Sequence, residues 1–264
     1  MRKITSRSNE TIKFIKSLQL RKNRNKTGKF YFEGVRQVGE SFSSNYPLDL
    51  IVYSPDMLIA DYGREIIERA KGKNIEIIEV TEDVFRSFSN KNGPHGLAAV
   101  GNQRYQEIKE TQINGLWIAL ESVQDPGNLG SILRSLDGAG GKGVILIGQS
   151  TDPFHPTAVR ASMGAVFYLP IMITTRKEFI IKIRKDNIFC VGTSCDTSNS
   201  YRDQPYFDDM VLIMGSEQKG ISLALEKTCD ALVTIPMAGK VDSLNLANAA
   251  SIVLFEIYAK RKNQ

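Results

Sequence analysis

The sequence has few of the residues that most often carry acid–base or metal chemistry. It contains two histidines, His95 and His155, and three cysteines, Cys190, Cys195 and Cys229. A Ser-His-Asp hydrolase or a zinc site is poorly supplied with parts. The cysteines form an odd set without metal-ligand spacing, which fits a reduced, cytoplasmic interior and no bound metal. No apolar run approaches the length that crosses a bilayer. The basic start Met1-Arg2-Lys3 is not followed by an apolar stretch, so neither a signal peptide nor a membrane partner is expected. Internal repeats and low-complexity segments are also missing.

What is present is ordinary in amount and uneven in placement. The 264 residues are 42% hydrophobic and 24% charged, as in a globular chain long enough for two domains. The formal net charge is +5. The first thirty residues carry Arg2, Lys3, Arg7, Lys13, Lys16, Arg21, Lys22, Arg24, Lys26 and Lys29 against Glu10 alone. Such a concentration is either a solvated face or the footprint of a polyanion such as RNA. The segment Arg21–Lys29 reads as a basic loop, and Arg21, Lys22, Arg24, Lys26 and Lys29 are candidate phosphate contacts. Phe30 and Tyr31 follow in a short strand, where alternation places aromatics in the core more often than against bases.

Patterning predicts alternating helices and strands throughout. In the first half, helices are expected over 9–21, 35–42, 63–71 and 81–88, with strands at 30–32, 48–53, 75–80 and 97–100. The polar stretch 101–115 reads as a linker, giving domains 1–106 and 107–264. In the second half, strands are expected at 116–120, 144–147, 188–191, 210–214 and 232–235, and 167–171 is expected to be extended. Helices are expected over 129–136, 157–163, 177–185 and 222–228. A long closing helix over 244–260 is amphipathic through Ala247, Ala250, Leu254 and Ile257. This alternation argues for a parallel α/β sheet, whose ligands bind beyond the carboxyl ends of the strands.

Gly138-Ala139-Gly140-Gly141-Lys142-Gly143 matches the dinucleotide-binding pattern letter for letter. That motif needs a strand before it and a helix after it. Here a helix precedes and a strand follows, so the glycines are read as a helix C-terminus.

Three segments, each just after a predicted strand, carry the chemistry. In the first, Asp125-Pro126-Gly127-Asn128 turns the chain into a helix that carries Arg134, and Asn128 can cap that helix or face a pocket. The second, Gly215-Ser216-Glu217-Gln218-Lys219-Gly220, brackets a carboxylate with glycines at a strand-to-helix turn. Its Gly215 permits close backbone approach. The third runs Ile235-Pro236-Met237, then Ser243-Leu244-Asn245 at the entry to the last helix.

Together, Asn128-x-Gly130-x-x-x-Arg134, Gly215-x-Glu217-x-x-Gly220 and Ile235-Pro236-Met237 with Ser243-Leu244-Asn245 resemble the three motifs of the SpoU-type RNA ribose methyltransferases, within the SPOUT superfamily. The likeness runs from about Leu116 to the C-terminus, and Val159–Ala165 resembles the family's middle region. More loosely, Lys26–Gly34 and Asn92–Gly96 resemble the ribosomal-protein-like RNA-binding domain often joined to these enzymes.

The resemblance implies a C-terminal parallel-sheet domain tied in a trefoil knot, preceded by a smaller α/β substrate-binding domain. It implies S-adenosylmethionine as cofactor, held by Thr193, Gly215, Ile235, Met237 and Leu244, and a homodimer that completes the pocket. It implies methyl transfer to a ribose 2′-hydroxyl, with Arg134 central and Asn128, Glu217, Ser243 and Asn245 around it. The family assigns Arg134 a key role, sometimes as the base. A guanidinium rarely gives up its proton, so fixing a phosphate and stabilising a developing alkoxide is the alternative. The added N-terminal domain favours ribosomal RNA, of the large subunit, over transfer RNA. A catalytically silent RNA-binding protein is the rival of another class.

Overall fold

A computed structural model describes residues 2–73, 75–216 and 219–262. The first half contains β1 (Arg2–Ile4), α1 (Glu10–Ser17), α2 (Arg21–Thr27), β2 (Lys29–Glu33), α3 (Val35–Ser43), β3 (Leu48–Tyr53), α4 (Asp61–Lys71), β4 (Glu76–Val80), α5 (Glu82–Arg86) and β5 (Leu97–Asn102). The second contains β6 (Leu116–Glu121), α6 (Pro126–Gly138), β7 (Gly143–Ile147), α7 (Pro156–Ala161), β8 (Ile171–Thr174), α8 (Arg176–Asp186), β9 (Phe189–Thr193), β10 (Met210–Met214), α9 (Leu223–Glu226), β11 (Ala231–Val233) and α10 (Leu246–Lys262). Contacts divide the chain into two units. One comprises Met1–Gln103 with Phe154–Tyr168, the other Arg104–Pro153 with Leu169–Gln264. The continuous division at residue 106 has no place for the segment 154–168, which counts with the first unit.

The first unit is a mixed sheet in the order β1-β4-β3-β5-β2. β1 and β3 pair with β4 in parallel, and β5 runs antiparallel to β3 and β2. β1 is too short for alternation to reveal it, and only Ile4 of its three residues is buried. Strand alternation splits the aromatics of β2 between two faces. Tyr31 packs edge-on to Phe88, within a core that includes Ile12, Ile15, Val84 and Phe85. Phe30 and Phe32 meet Phe154 and Phe167 from the other side, at ring-centroid distances of 4.6 and 4.9 Å. Phe167 belongs to a 3-10 turn, Ala165–Phe167, and not to the extended segment expected there. Its left-handed Gly164 (φ 110°) redirects the chain before β8 begins at Ile171.

The expected basic loop is also corrected: it is the helix α2. Arg and Lys are good helix formers, and the helix ends where Gly28 adopts a left-handed conformation (φ 66°). Arg24 is buried. Its Nη1 donates to the carbonyls of Leu18 and Gln19, at 2.9 and 2.8 Å, and so satisfies the open end of α1. Arg24 is therefore a structural cation and no phosphate contact.

The second unit is a six-stranded sheet, all parallel, in the order β11-β9-β10-β6-β7-β8. Its central strands are buried along their whole length, as expected of strands covered on both faces. The glycine cluster ends α6 as argued above. Gly140 is left-handed (φ 72°), its amide donates to Asp137 O, and that of Gly141 donates to Leu136 O. This pair of bonds is the Schellman closure of a helix.

Candidate active site

Because every strand of the second sheet points the same way, β6, β10, β9 and β11 deliver their following loops to one edge. The first motif follows β6. Asp125, and not Asn128, caps α6: its Oδ1 accepts from the Asn128 amide at 2.7 Å, with Pro126 in the first turn. Asn128, in that first turn, is released from capping. Its Oδ1 accepts from Asn245 Nδ2 at 3.0 Å. Asn245 in turn caps α10, with Oδ1 accepting from the Ala247 amide at 2.9 Å. Further along, Ser135 and Ser251 share a hydroxyl hydrogen bond of 2.7 Å. The partners advance together, so α6 and α10 run side by side in one direction and present their N-termini at the same edge.

Arg134 lies on α6 about 9 Å along the axis from Asn128. It is exposed and makes no hydrogen bond or ion pair with a described residue. Ser243 is exposed in the loop before α10, with a long 3.5 Å contact to Asp242 Oδ1. Glu217 lies outside the described residues. Among the described catalytic candidates, the structure thus joins Asn128 to Asn245 directly, with Ser243 two residues before Asn245.

The cofactor candidates lie at or beyond the ends of three neighbouring strands, β10, β9 and β11. Thr193 ends β9 and pairs in register with Val233 of β11, two residues before Ile235. Gly215 follows β10, the other neighbour of β9. Its backbone is pressed against Gly220: a Cβ on Gly215 would lie 1.8 Å from the Gly220 carbonyl oxygen. The Gly220 amide donates to Ser216 O at 3.0 Å, and Gly220 is left-handed (φ 61°). Gly215 and Gly220 are therefore clasped backbone to backbone, which leaves no room for a side chain at Gly215. Leu244 is half-buried, whereas Met237 and Val241 are exposed, on the loop between β11 and α10.

Sequence reasoning missed Glu121, the last residue of β6. It is buried, and its carboxylate ties three segments together. Arg176 at the start of α8 donates Nε and Nη2 to Oε1, at 2.7 and 2.6 Å. Ser222, the N-cap of α9, donates its amide to Oε2 at 2.7 Å and its hydroxyl to Oε1 at 3.0 Å. A carboxylate ending a strand of buried apolar residues must find such partners, and that was the available signal. Beside it opens a cavity of about 720 Å³, bordered by Ser122, Asp125, Arg176, Ser216 and Lys219.

In the first unit, Arg21, Lys22 and Lys26 are exposed on α2. Lys29 is half-buried and paired with Asp49 at 2.7 Å.

Residues 115–255 match the model of the SpoU rRNA Methylase family, which spans the whole of this strand-edge arrangement. The chain belongs to the SpoU rRNA methylase family. Residues 9–99 match the MRM3-like substrate binding domain. This SpoU chain is 27% identical over 257 residues to the 23S rRNA (guanosine(2553)-2′-O)-methyltransferase RlmP of Bacillus subtilis, covering 97% of this chain and 99% of the relative. It is 29% identical over 269 residues to the 23S rRNA (uridine(2479)-2′-O)-methyltransferase of Streptomyces viridochromogenes, covering 98% and 93%. The crystal structure of an AdoMet-bound rRNA methyltransferase from Sinorhizobium meliloti superposes with a TM-score of 0.89 at 34% identity, over 98% of this chain and 97% of that one. Among the described residues, no group of three or more His, Cys, Asp or Glu side chains could hold a metal, and no helix is long and apolar enough to cross a membrane.

Proposed function

We propose that this SpoU-family chain transfers a methyl group from S-adenosylmethionine to a ribose 2′-hydroxyl of large-subunit ribosomal RNA. The observation that carries the reading is the hydrogen bond between Asn128 and Asn245. It brings the first and third motifs to one point, at the start of the helix that carries Arg134. The full-length likeness to two 23S ribosomal RNA 2′-O-methyltransferases supports the substrate class.

The residues present fit the cofactor. Thr193, Gly215, Ile235, Met237 and Leu244 offer backbone groups at strand ends and apolar side chains held out of the core. None of the five carries a charge that would compete with a sulfonium. When bound, the cofactor supplies an electrophilic methyl group. The protein's own task is to hold the ribose oxygen in line with it. Asn128 and Asn245 form a rigid amide pair at the start of two helices, suited to orient the sugar. Arg134 is free to take the adjoining phosphate and to stabilise negative charge as the hydroxyl loses its proton. Glu217 and Ser243 complete the group in this reading. A trefoil knot in the second unit, a cytoplasmic location and a homodimer belong to the same proposal. Ile252, Phe255 and Tyr258 support the dimer: they form an exposed apolar stripe on α10, spaced for one helix face. On the first unit, Arg21, Lys22, Lys26 and Lys29 remain candidate phosphate contacts.

The deciding experiment offers labelled S-adenosylmethionine with ribosomal and transfer RNA from cells lacking this gene, beside Arg134→Ala. The expected result is label in ribosomal RNA as an alkali-resistant 2′-O-methyl dinucleotide, reduced at least a hundredfold in the variant. Label confined to transfer RNA would overturn the substrate. Cofactor binding without any methyl transfer to RNA or ribosomal particles would overturn the reaction.

A further inference from the structure

The first unit contains a second pocket, remote in sequence from the three motifs, of about 280 Å³. That is near the lower limit of small-ligand sites, enough for a single nucleotide and too small for a duplex. Its wall is built by Tyr31 and Glu33 of β2, Gln37 of α3, Lys91 of the loop before β5, and His155 and Arg160 at the two ends of α7.

This wall holds a buried phenol and a carboxylate side by side. Tyr31 is 1% exposed, and its hydroxyl makes no hydrogen bond of good geometry with a described residue, with the Glu33 carboxylate as its near neighbour. A buried hydroxyl without a well-aligned partner favours an added acceptor. Burial, then the charge of Glu33 and its hydrogen-bonding pull on the hydroxyl, push the phenol well above its ordinary pKa, so it stays a neutral donor. Glu33 is held in place by the Ser89 hydroxyl at 2.6 Å and the Asn90 amide at 2.8 Å. Each bond occupies one carboxylate oxygen and leaves lone pairs for a further donor. The Lys91 ammonium and the end of Gln37 meet over Gly34, where a Cβ would lie 2.7 Å from Lys91 Nζ and 2.6 Å from Gln37 Oε1. Gly34 (φ 116°) keeps that space open. Neither Lys91 nor the exposed Arg160 makes an ion pair with a described residue. His155 Nδ1 accepts from the Thr157 amide at 3.2 Å, so a neutral ring carries its proton on Nε2.

The pocket thus offers a buried hydroxyl donor and a fixed carboxylate acceptor at its wall, with two cations against one anion around it. We infer that the first unit binds one unstacked nucleotide of the RNA here, with Tyr31 and Glu33 on the base edge and Lys91 and Arg160 on its phosphate. Reading a splayed-out base by its edge is the usual route to sequence-specific RNA recognition. The site would fix the register of the strand on the first unit. This inference rests on the RNA-methyltransferase reading for its biological ligand, but its chemistry can be tested without it.

The test uses the full chain with its cofactor site saturated by S-adenosylhomocysteine, so that adenosine binding there cannot interfere. Adenosine, guanosine, cytidine and uridine 5′-monophosphates are titrated by calorimetry into the parent, Tyr31→Phe and Arg160→Ala. Tyr31→Phe keeps the ring that packs on Phe88, and thermal unfolding checks both variants. At least one nucleotide is expected to bind the parent and to lose tenfold or more in affinity in each variant. The KM for RNA is expected to rise by a similar factor, with cofactor affinity unchanged. Absence of nucleotide binding, equal binding in the variants, or an unmoved KM would overturn the site. Should the chain methylate no RNA while nucleotide binding still depends on Tyr31 and Arg160, the proposed reaction falls and the pocket stands.

Discussion

At Gly215 the missing side chain is accounted for by the protein's own backbone. Sequence reasoning assigned this glycine to ligand approach, because a strand-to-helix turn beside a presumed cofactor invites that reading. The structure adds a nearer demand: the Gly220 carbonyl occupies the place of a Cβ at 1.8 Å. Gly215→Ala must therefore open the Gly215–Gly220 clasp. We expect a loss of about 3 kcal/mol or more in urea unfolding, at or above the upper end for overpacked sites. Cofactor affinity should be lost with it. A variant as stable as the parent would mean that the clasp opens freely. Arg24 makes the complementary point. Composition reads it as one more surface cation, whereas the carbonyls it serves lie five and six residues back and emerge only when α1 and α2 are folded. Glu121 was equally quiet, since its partners Arg176 and Ser222 are 55 and 101 residues away.

At the level of elements, most of the architecture was legible because apolar periodicity is a local property. β3 and β10 have the expected bounds, and the buried face of α10 carries the predicted Ala247, Ala250, Leu254 and Ile257. What failed was short or basic: β1, whose pairing partner β4 is distant, and α2, whose polar sequence hides its helical propensity. At α6 the sequence left Asn128 open between capping the helix and facing a pocket, for a specific reason. Asp125 and Asn128 are both good caps, and only the structure shows Asn128 turned towards Asn245. That pairing yields a double-mutant prediction. Asn245→Ala removes a cap, at a cost of about 1 kcal/mol, together with the amide pair. Asn128→Ala removes the amide pair and keeps the Asn245 cap. The two changes should be non-additive by about 1 kcal/mol, the net value of one hydrogen bond. Both should lower kcat more than cofactor affinity. Strict additivity in stability would show that the pair contributes nothing to holding α6 against α10.

Over the whole molecule, the sequence suggested a simple tandem of domains, because composition shifts are read along the chain. Contacts are not bound to that order. Phe154–Tyr168 lies within the second half by sequence, yet its aromatics Phe154 and Phe167 fill the first unit's core against Phe30 and Phe32. This changes what deletion of residues 1–106 should do. For a simple tandem, the remaining chain would keep cofactor binding and lose RNA methylation. Here it would also leave Phe154, Val166 and Phe167, each now buried, without the surface that covers them. An exposed cluster of that kind drives association. The truncated chain is therefore expected to scatter light and bind a hydrophobic dye, and Phe154→Ser with Phe167→Ser should relieve both effects. A truncated chain that is monodisperse and dye-silent without those changes would mean that segment 154–168 folds with the second unit when alone. In that case the two units would be independent modules after all.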